Sequence, residues 1–540
     1  MSGTVLENLS GKKLTILVSF LLISQTVCFL IGGLIAPKPA FTDSILATKC
    51  LDDKNSTTAW YYVRGKNPCV RFNIDSYTTE EHLKYGNQIV FAFQIPSPRG
   101  NVILDYSRWQ QNLIGILHLD ILYRPESEMP PRSLLTVDAR LAYRNKGDPP
   151  DIWTYYASST EQRILECSID VKKEDYLYNC SIVPLFELGS LHHDFYLINI
   201  RLPVDYSKGI NTELGHIADM WIITINQTGG FTKVWLSLKS IFFPSVLAVL
   251  IWFLKRVYVL QRKPLLLEYM LILVATSLSF LNIPLELLTL YFELPFMLLL
   301  ADIRQGIFYA ALLSFWLVFA GEHLMIQESQ KNHLLGYWKH LSSVIVGCIA
   351  MFFFDLCERG IQLRNPFYSV WVTDIGAKFA MAFLIVGGIS GVGYFFLLCY
   401  MIWKVFGNIG AKKCNLPAMS QARRLHYSGL IYRFNFLMLT TITCAAFTVI
   451  TFALGQMSEG QWKWDDQHGL EYTSAFFTGV YGMWNIYIMA LLALYAPSHK
   501  RWPQNNDAQN TTGEIEFSTL EPEPSEISSL TTFTRKTALD

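Results

Sequence analysis

The stretch LPFMLLLADIRQGIFYAALLSFWLVFAGEH, residues 294–323, is long and apolar enough to cross a bilayer, yet Asp302 and Arg304 sit in its first half. A span needs roughly 20 mainly apolar residues. Two readings stand. In one, a helix from residue 296 carries both charges inside the membrane. In the other, LPFMLLLA is a short interfacial segment and the span starts after Arg304. The second leaves only residues 305–321 before Glu322, short for a crossing. If the segment is one helix, the two charges are two residues apart. They then point about 200° away from each other and must find separate partners.

Working outward, seven more stretches qualify as spans, giving 14–36, 234–254, 266–289, 296–321, 341–358, 378–403, 432–455 and 473–496. The whole chain is 51% hydrophobic and only 16% charged, too apolar for an ordinary large soluble enzyme. Its net charge of zero gives no footing for nucleic acid. The first span follows Lys12 and Lys13 but exceeds a signal-peptide core, which runs about 7–15 residues, and reads as an uncleaved anchor.

Lys and Arg set the orientation. KRVYVLQRK and KVFGNIGAKKCNLPAMSQARRLHYSGLIYR follow the second and sixth spans, whereas EGQWKWDDQHGLE follows the seventh. Basic loops belong in the cytosol. Residues 1–13 and the tail 497–540 are then cytosolic. Residues 37–233 are luminal or extracellular, and 234–496 hold the other seven spans. Cys50, Cys69, Cys167 and Cys180 all fall in the luminal region, an even number that reads as two disulfides. Cys50–Cys69 with Cys167–Cys180 closes the shortest loops, but three connectivities are possible. Asn55, Asn226 and Asn179 begin glycosylation sequons on the same side.

In the luminal region apolar residues recur with period two. Leu135, Val137, Ala139, Leu141 and Tyr143 alternate with Thr136, Asp138 and Arg140, as in a half-buried strand. NLIGILHLDILY, DFYLINIRLPV and DMWIITINQ behave alike, and RNKGDPPD is a turn cluster. An antiparallel β-sandwich or barrel is expected, inserted between the first two spans of an eight-helix membrane protein. His192 and His193 on a strand would face opposite ways and form a surface pair, not a metal site. No HExxH, GxSxG or P-loop pattern occurs, so neither catalysis nor a cofactor is expected.

The charges within spans cluster toward the luminal side: Glu286, Asp302, Arg304, Asp355, Glu358 and Arg359. Asp355 and Arg359 share a helix face and can pair. Across the bundle, Arg359 suits Asp302, and Glu286 or Glu358 suits Arg304. Such a cluster suggests a polar mouth or cavity rim. Asn485 in the last span reads as a packing hydrogen bond. In the cytosolic loop, Tyr427-Ser428-Gly429-Leu430 fits the Tyr-x-x-apolar pattern that clathrin adaptors bind in extended form. The tail GEIEFSTLEPEPSEISSLTTFTRKTALD has the composition of a disordered segment.

Long strings of the chain resemble the Wntless family: DIRQGIFYAALLSFWLVFAGEH, FDLCERGIQLRNPFYSVWVTDIG, LPAMSQARRLHYSGLIYRF and TSAFFTGVYGMWNIYIMALLALYAPSHK. MSGTVLENLSG and DYSRWQQNLIG look most like an insect member. The resemblance implies eight spans, a luminal β domain and a receptor-like helical core. It implies a carrier of lipidated Wnt proteins whose acyl chain enters a cavity in that core. It further implies traffic between endoplasmic reticulum, Golgi, plasma membrane, synaptic membrane included, and endosomes, with uptake through a clathrin adaptor and recycling by retromer. Tyr427 to Leu430 matches the family's internalisation motif, with Ser428 where an acidic residue often stands. Membrane lipids are the remaining expected partners. Two other readings are a seven-span signalling receptor behind an anchor, and a transporter. The first would stimulate nucleotide exchange on a G protein, the second would take up a solute in proteoliposomes. The chain lacks Asp-Arg-Tyr and Asn-Pro-x-x-Tyr strings, and no inverted repeat is visible.

Overall fold

In the strand Arg132–Arg144, Leu135, Val137, Ala139 and Leu141 are fully buried, while Asp138 and Arg140 are only half covered. That alternation puts one face of a sheet on a core. The computed structural model describes residues 5–52, 62, 63, 69, 86–98, 104–150, 152–324, 337–371, 373–415, 431, 435, 438–447 and 473–497. Within them, ten strands follow the first helix. They are β1 (Ala40–Leu46), β2 (Thr48–Leu51), β3 (Ile89–Ile95), β4 (Gln111–Leu122), β5 (Arg132–Arg144), β6 (Thr154–Ser168), β7 (Asn179–Cys180), β8 (Val183–Ser190), β9 (Phe195–Arg201) and β10 (His216–Gln227). All pairings are antiparallel.

The strands form two sheets, ordered β1-β10-β4-β8 and β2-β3-β9-β5-β6-β7. Phe93, Leu117, Val137, Ile198 and Ile222 come from both sheets into one buried cluster. The domain is therefore a sandwich rather than a closed barrel. Burying each such side chain is worth about 1.5–3 kcal/mol. Disulfides join Cys50 to Cys69 and Cys167 to Cys180, the latter directly across the β6–β7 pair.

The helices are α1 (Gly11–Leu30, continued by a π turn Ile31–Ile35), α2 (Gly229–Val259), α3 (Leu266–Asn282), α4 (Met297–Leu324), α5 (Trp338–Gln362), α6 (Asp374–Asn415), α7 (Met438–Phe447) and α8 (Thr473–Tyr495). All but α7 lie in segments long and apolar enough to cross a membrane, and much of the expected seventh span, 432–455, lies outside the described residues. Val246, Phe253, Leu271, Val274, Leu312, Phe315 and Ile488 pack the bundle core. Where α8 meets α1 the backbones approach closely. A Cβ on Gly482 would meet the Cys28 sulfur at 2.5 Å.

Three boundaries differ from expectation. The span expected over 266–289 stops as α-helix at Asn282. Pro284 has no N–H to donate, and it pushes Ile283 out of helical geometry, to ψ 120°. A 3₁₀ turn, Leu285–Leu290, follows. The second span starts earlier, at Gly229, because Thr228 caps it by accepting from the Phe231 N–H at 3.4 Å. α6 runs 42 residues, continuing past residue 403 into the basic stretch.

Candidate functional site

α4 is one helix from Met297, so Asp302 and Arg304 lie within its first eight residues and not in a separate interfacial segment. The interruption at Pro284 explains where Arg304 goes. The last carbonyls of α3 lose their helical partners there, and the Leu285 N–H turns to Ile283. Arg304 Nη2 donates to the stranded Leu281 carbonyl at 2.7 Å. It also reaches Glu286 Oε1 at 3.2 Å, and Lys239 Nζ comes from α2 to the same oxygen at 2.6 Å. Arg304 is 1% exposed and Lys239 5%. Two cations therefore share one carboxylate inside the bundle and tie α2, α3 and α4 together.

A second group lies beside it. Arg359, in the last turn of α5, sits 3.8 Å from Asp302 and 2.5 Å from Glu187 of β8. One guanidinium thus links two helices and the sandwich. Glu358 accepts from the Val370 N–H at 2.8 Å and from Gln362 at 3.2 Å, which folds the chain back after α5. Asp355 is not an ion-pair partner of Arg359 among the described residues, although the i,i+4 spacing allows it. The two carboxylates nearer the sheet take the guanidinium instead. Five of the six expected residues thus fall in two adjacent clusters, Glu286 with Arg304 and Asp302 with Glu358 and Arg359, and Asp355 forms no ion pair with either among the described residues.

The chain between α5 and α6 plugs into the sandwich. Phe367 is fully buried within the sheet core and packs edge-on against Phe186, ring centroids 6.1 Å apart. Its carbonyl accepts from Arg163 Nη2 at 2.5 Å. The Pro366 carbonyl accepts from the Glu187 N–H at 3.0 Å, and Asn365 donates to Ser159 and Glu161, each at 3.1 Å. Gly189 comes so near α4 that a Cβ there would meet Leu298 at 2.9 Å. Neither Lys239 nor Phe367 was expected. Lys239 had a signal, a lysine inside an apolar run; Phe367 sits in a loop with nothing local to mark it.

The other expected positions are distributed as follows. His192 and His193 lie in the turn between β8 and β9, not on a strand, and both are half-buried. His193 stacks on Tyr143, centroids 3.6 Å apart, with Nδ1 3.1 Å from Asn145 Oδ1. Burial pushes both imidazoles below their ordinary value, with Glu293 opposing the shift. Asn226 is 1% exposed within β10, and the Thr228 hydroxyl donates to the Lys38 carbonyl at 2.6 Å. As folded, that sequon does not present its amide to a glycan. Asn179 is exposed. Asn55 and Tyr427 to Leu430 lie outside the described residues. Asn485 is buried, accepting from Asn282 at 2.5 Å and donating to the Tyr481 carbonyl at 2.9 Å. Among the described residues no three His, Cys, Asp or Glu side chains converge as a metal site would require. The charges hold elements together.

Residues 228–499 match the family described as Wntless-like, transmembrane domain, and residues 48–227 match Wntless, GOLD domain. Protein wntless of Drosophila mojavensis is 57% identical and that of Drosophila grimshawi 56%, each aligned over all of both chains. With a sandwich and an apolar helix bundle each matched by its own domain description, this multi-pass membrane chain belongs to the Wntless family.

Proposed function

We propose that the protein is a non-enzymatic cargo receptor that binds lipid-modified Wnt proteins in the secretory pathway and carries them to the cell surface. The observation that carries this reading is end-to-end similarity to proteins named wntless, across both domains. The physics agrees. An acyl chain exposed to water costs about 0.8 kcal/mol per CH₂, and a membrane bundle with an apolar interior can shield it. A sandwich fixed to the same end of the bundle offers a second attachment for the folded part of the cargo. Two modest attachments bind more tightly together than either alone.

In this reading the sandwich is luminal and both termini are cytosolic, as the Lys and Arg distribution favours. Residues 1–13, 14–36, 37–233, 234–496 and 497–540 are the cytosolic start, anchor, luminal domain, seven-span core and cytosolic tail. Glu286, Asp302, Arg304, Asp355, Glu358 and Arg359 frame the luminal end of the core. They hold the helices that shield the lipid. Tyr427 to Leu430 recruit a clathrin adaptor, retromer returns the receptor from endosomes, and the chain cycles through endoplasmic reticulum, Golgi and plasma membrane. Replacing the endogenous receptor in Wnt-secreting cells with this chain tests the reading. Restored secretion of acylated Wnt supports it; intracellular retention of Wnt despite normal surface delivery of the chain overturns it.

A further inference from the structure

A cavity of about 180 Å³ lies where the sandwich meets the bundle. Tyr156 and His192 line it from the sandwich, Leu298 from α4, and Arg359, Gln362 and Arg364 from the end of α5 and beyond. The sandwich contribution is built by an irregularity. In the β5–β6 ladder Leu141 faces Ala157 but Ala142 faces Tyr155, so Tyr156 is the extra residue of a bulge. A bulge re-aims its side chain, and here Tyr156 joins the cavity wall. Both ring nitrogens of His192 are shielded from solvent and have no hydrogen-bond partner among the described residues. Arg359 is neutralised by Glu187 and Asp302. Arg364 is exposed and forms no ion pair among the described residues.

The depth of this cavity is also marked. It sits where α4 begins and α5 ends, the level at which spans leave hydrocarbon. Beside it, the loop into α4 exposes Tyr291 at 77%, Phe292 at 61% and Phe296 at 45%. Exposed aromatic residues at the ends of spans belong at the headgroup level. A ligand there needs an anionic group for Arg364, a hydrogen-bonding group for His192 and an apolar part for Leu298 and Leu299.

We propose that this cavity seats the phosphoglycerol headgroup of a membrane phospholipid, its phosphate held by Arg364 and the His192 N–H and its acyl chains running along the start of α4. The lipid would seal the junction between sandwich and bundle, whether or not cargo is bound.

The test uses the full-length chain, delipidated in detergent and studied by native mass spectrometry with dioctanoyl phosphatidylglycerol. Inorganic phosphate and glycerol 3-phosphate form parallel arms. The parent should retain the phospholipid and neither soluble phosphate at equal concentration. Arg364→Gln, at an exposed position that folding does not need, should weaken retention roughly tenfold, the equivalent of one charge-assisted hydrogen bond. His192→Phe should do the same, and Arg132→Gln, at the opposite end of the β5–β6 ladder from Tyr156, should not. Equal retention by parent and Arg364→Gln would make the lipid merely annular and overturn the proposal. Binding of inorganic phosphate as tight as the lipid, and lost in the same variant, would overturn it in favour of a free-anion site.

Discussion

Arg304 on α4 and Lys239 on α2 converge on one oxygen of Glu286, at 3.2 and 2.6 Å. Neither cation is open to water, and both share the single carboxylate as counter-charge, which leaves the group net positive. Breaking a buried pair by removing one partner costs about 3–5 kcal/mol, because a charge is left uncompensated. Glu286→Gln should therefore lower the thermal midpoint of the purified chain sharply. Adding Lys239→Met should recover part of the loss by removing one stranded charge. A single variant as stable as the parent would show that the triad does not hold α2, α3 and α4.

Phe367 should fasten the two domains. Phe→Ala changes in a core cost about 3–5 kcal/mol. Phe367→Ala should speed hydrogen exchange in β6 and β8, which flank the plug, and leave the α3–α4 core protected. Unchanged exchange in both strands would mean the sandwich closes without it.

Acid should weaken the sandwich. Burial holds the imidazoles of His118, His192 and His193 below their ordinary value. The unfolded chain then takes up protons first, near the ordinary value of about 6.5. The stability that depends on neutral rings is present above that pH and is lost as pH falls toward the folded-state values. Asp138, raised by burial, works the opposite way but nearer the carboxylate range. Thermal unfolding at about pH 5.5 should give a lower midpoint than at about pH 7.5. Replacing His192 and His193 together with Asn should narrow the gap, and an unchanged gap would exclude them as its source.

Tyr427→Ala should hold the protein at the cell surface. Uptake of surface-labelled chain is the measurement, and uptake at the parent's rate would remove Tyr427 to Leu430 from the sorting account.

Much of this was legible because charge inside an apolar run is conspicuous. Asp302 and Arg304, two residues apart, had to look in different directions, and only a few partners existed at the same depth. Arg359 and Glu286 followed from that. Strand alternation marked β4, β5 and β10 because one face of each is solvated or half-covered, whereas β9 is buried on both faces and showed only as an apolar run. What escaped reading was set by contacts distant in sequence. Phe367 looks like any loop aromatic until the sandwich closes over it. The Glu187 carboxylate on β8 gives no hint that Arg359, far along the chain, will take it in place of Asp355. The span expected over 266–289 ran through Pro284, although Ile-Pro disfavours helix there, and the break leaves the Leu281 carbonyl to Arg304.

The central claim is recognition of a lipid-modified protein by a membrane core and a sandwich acting together. Affinity capture with the full-length chain, from cells secreting either acylated Wnt or Wnt lacking its acylation site, tests it most directly. The account predicts that acylated Wnt is recovered at least about tenfold better, since the buried hydrocarbon supplies much of the attachment. Equal recovery of the two forms would contradict it.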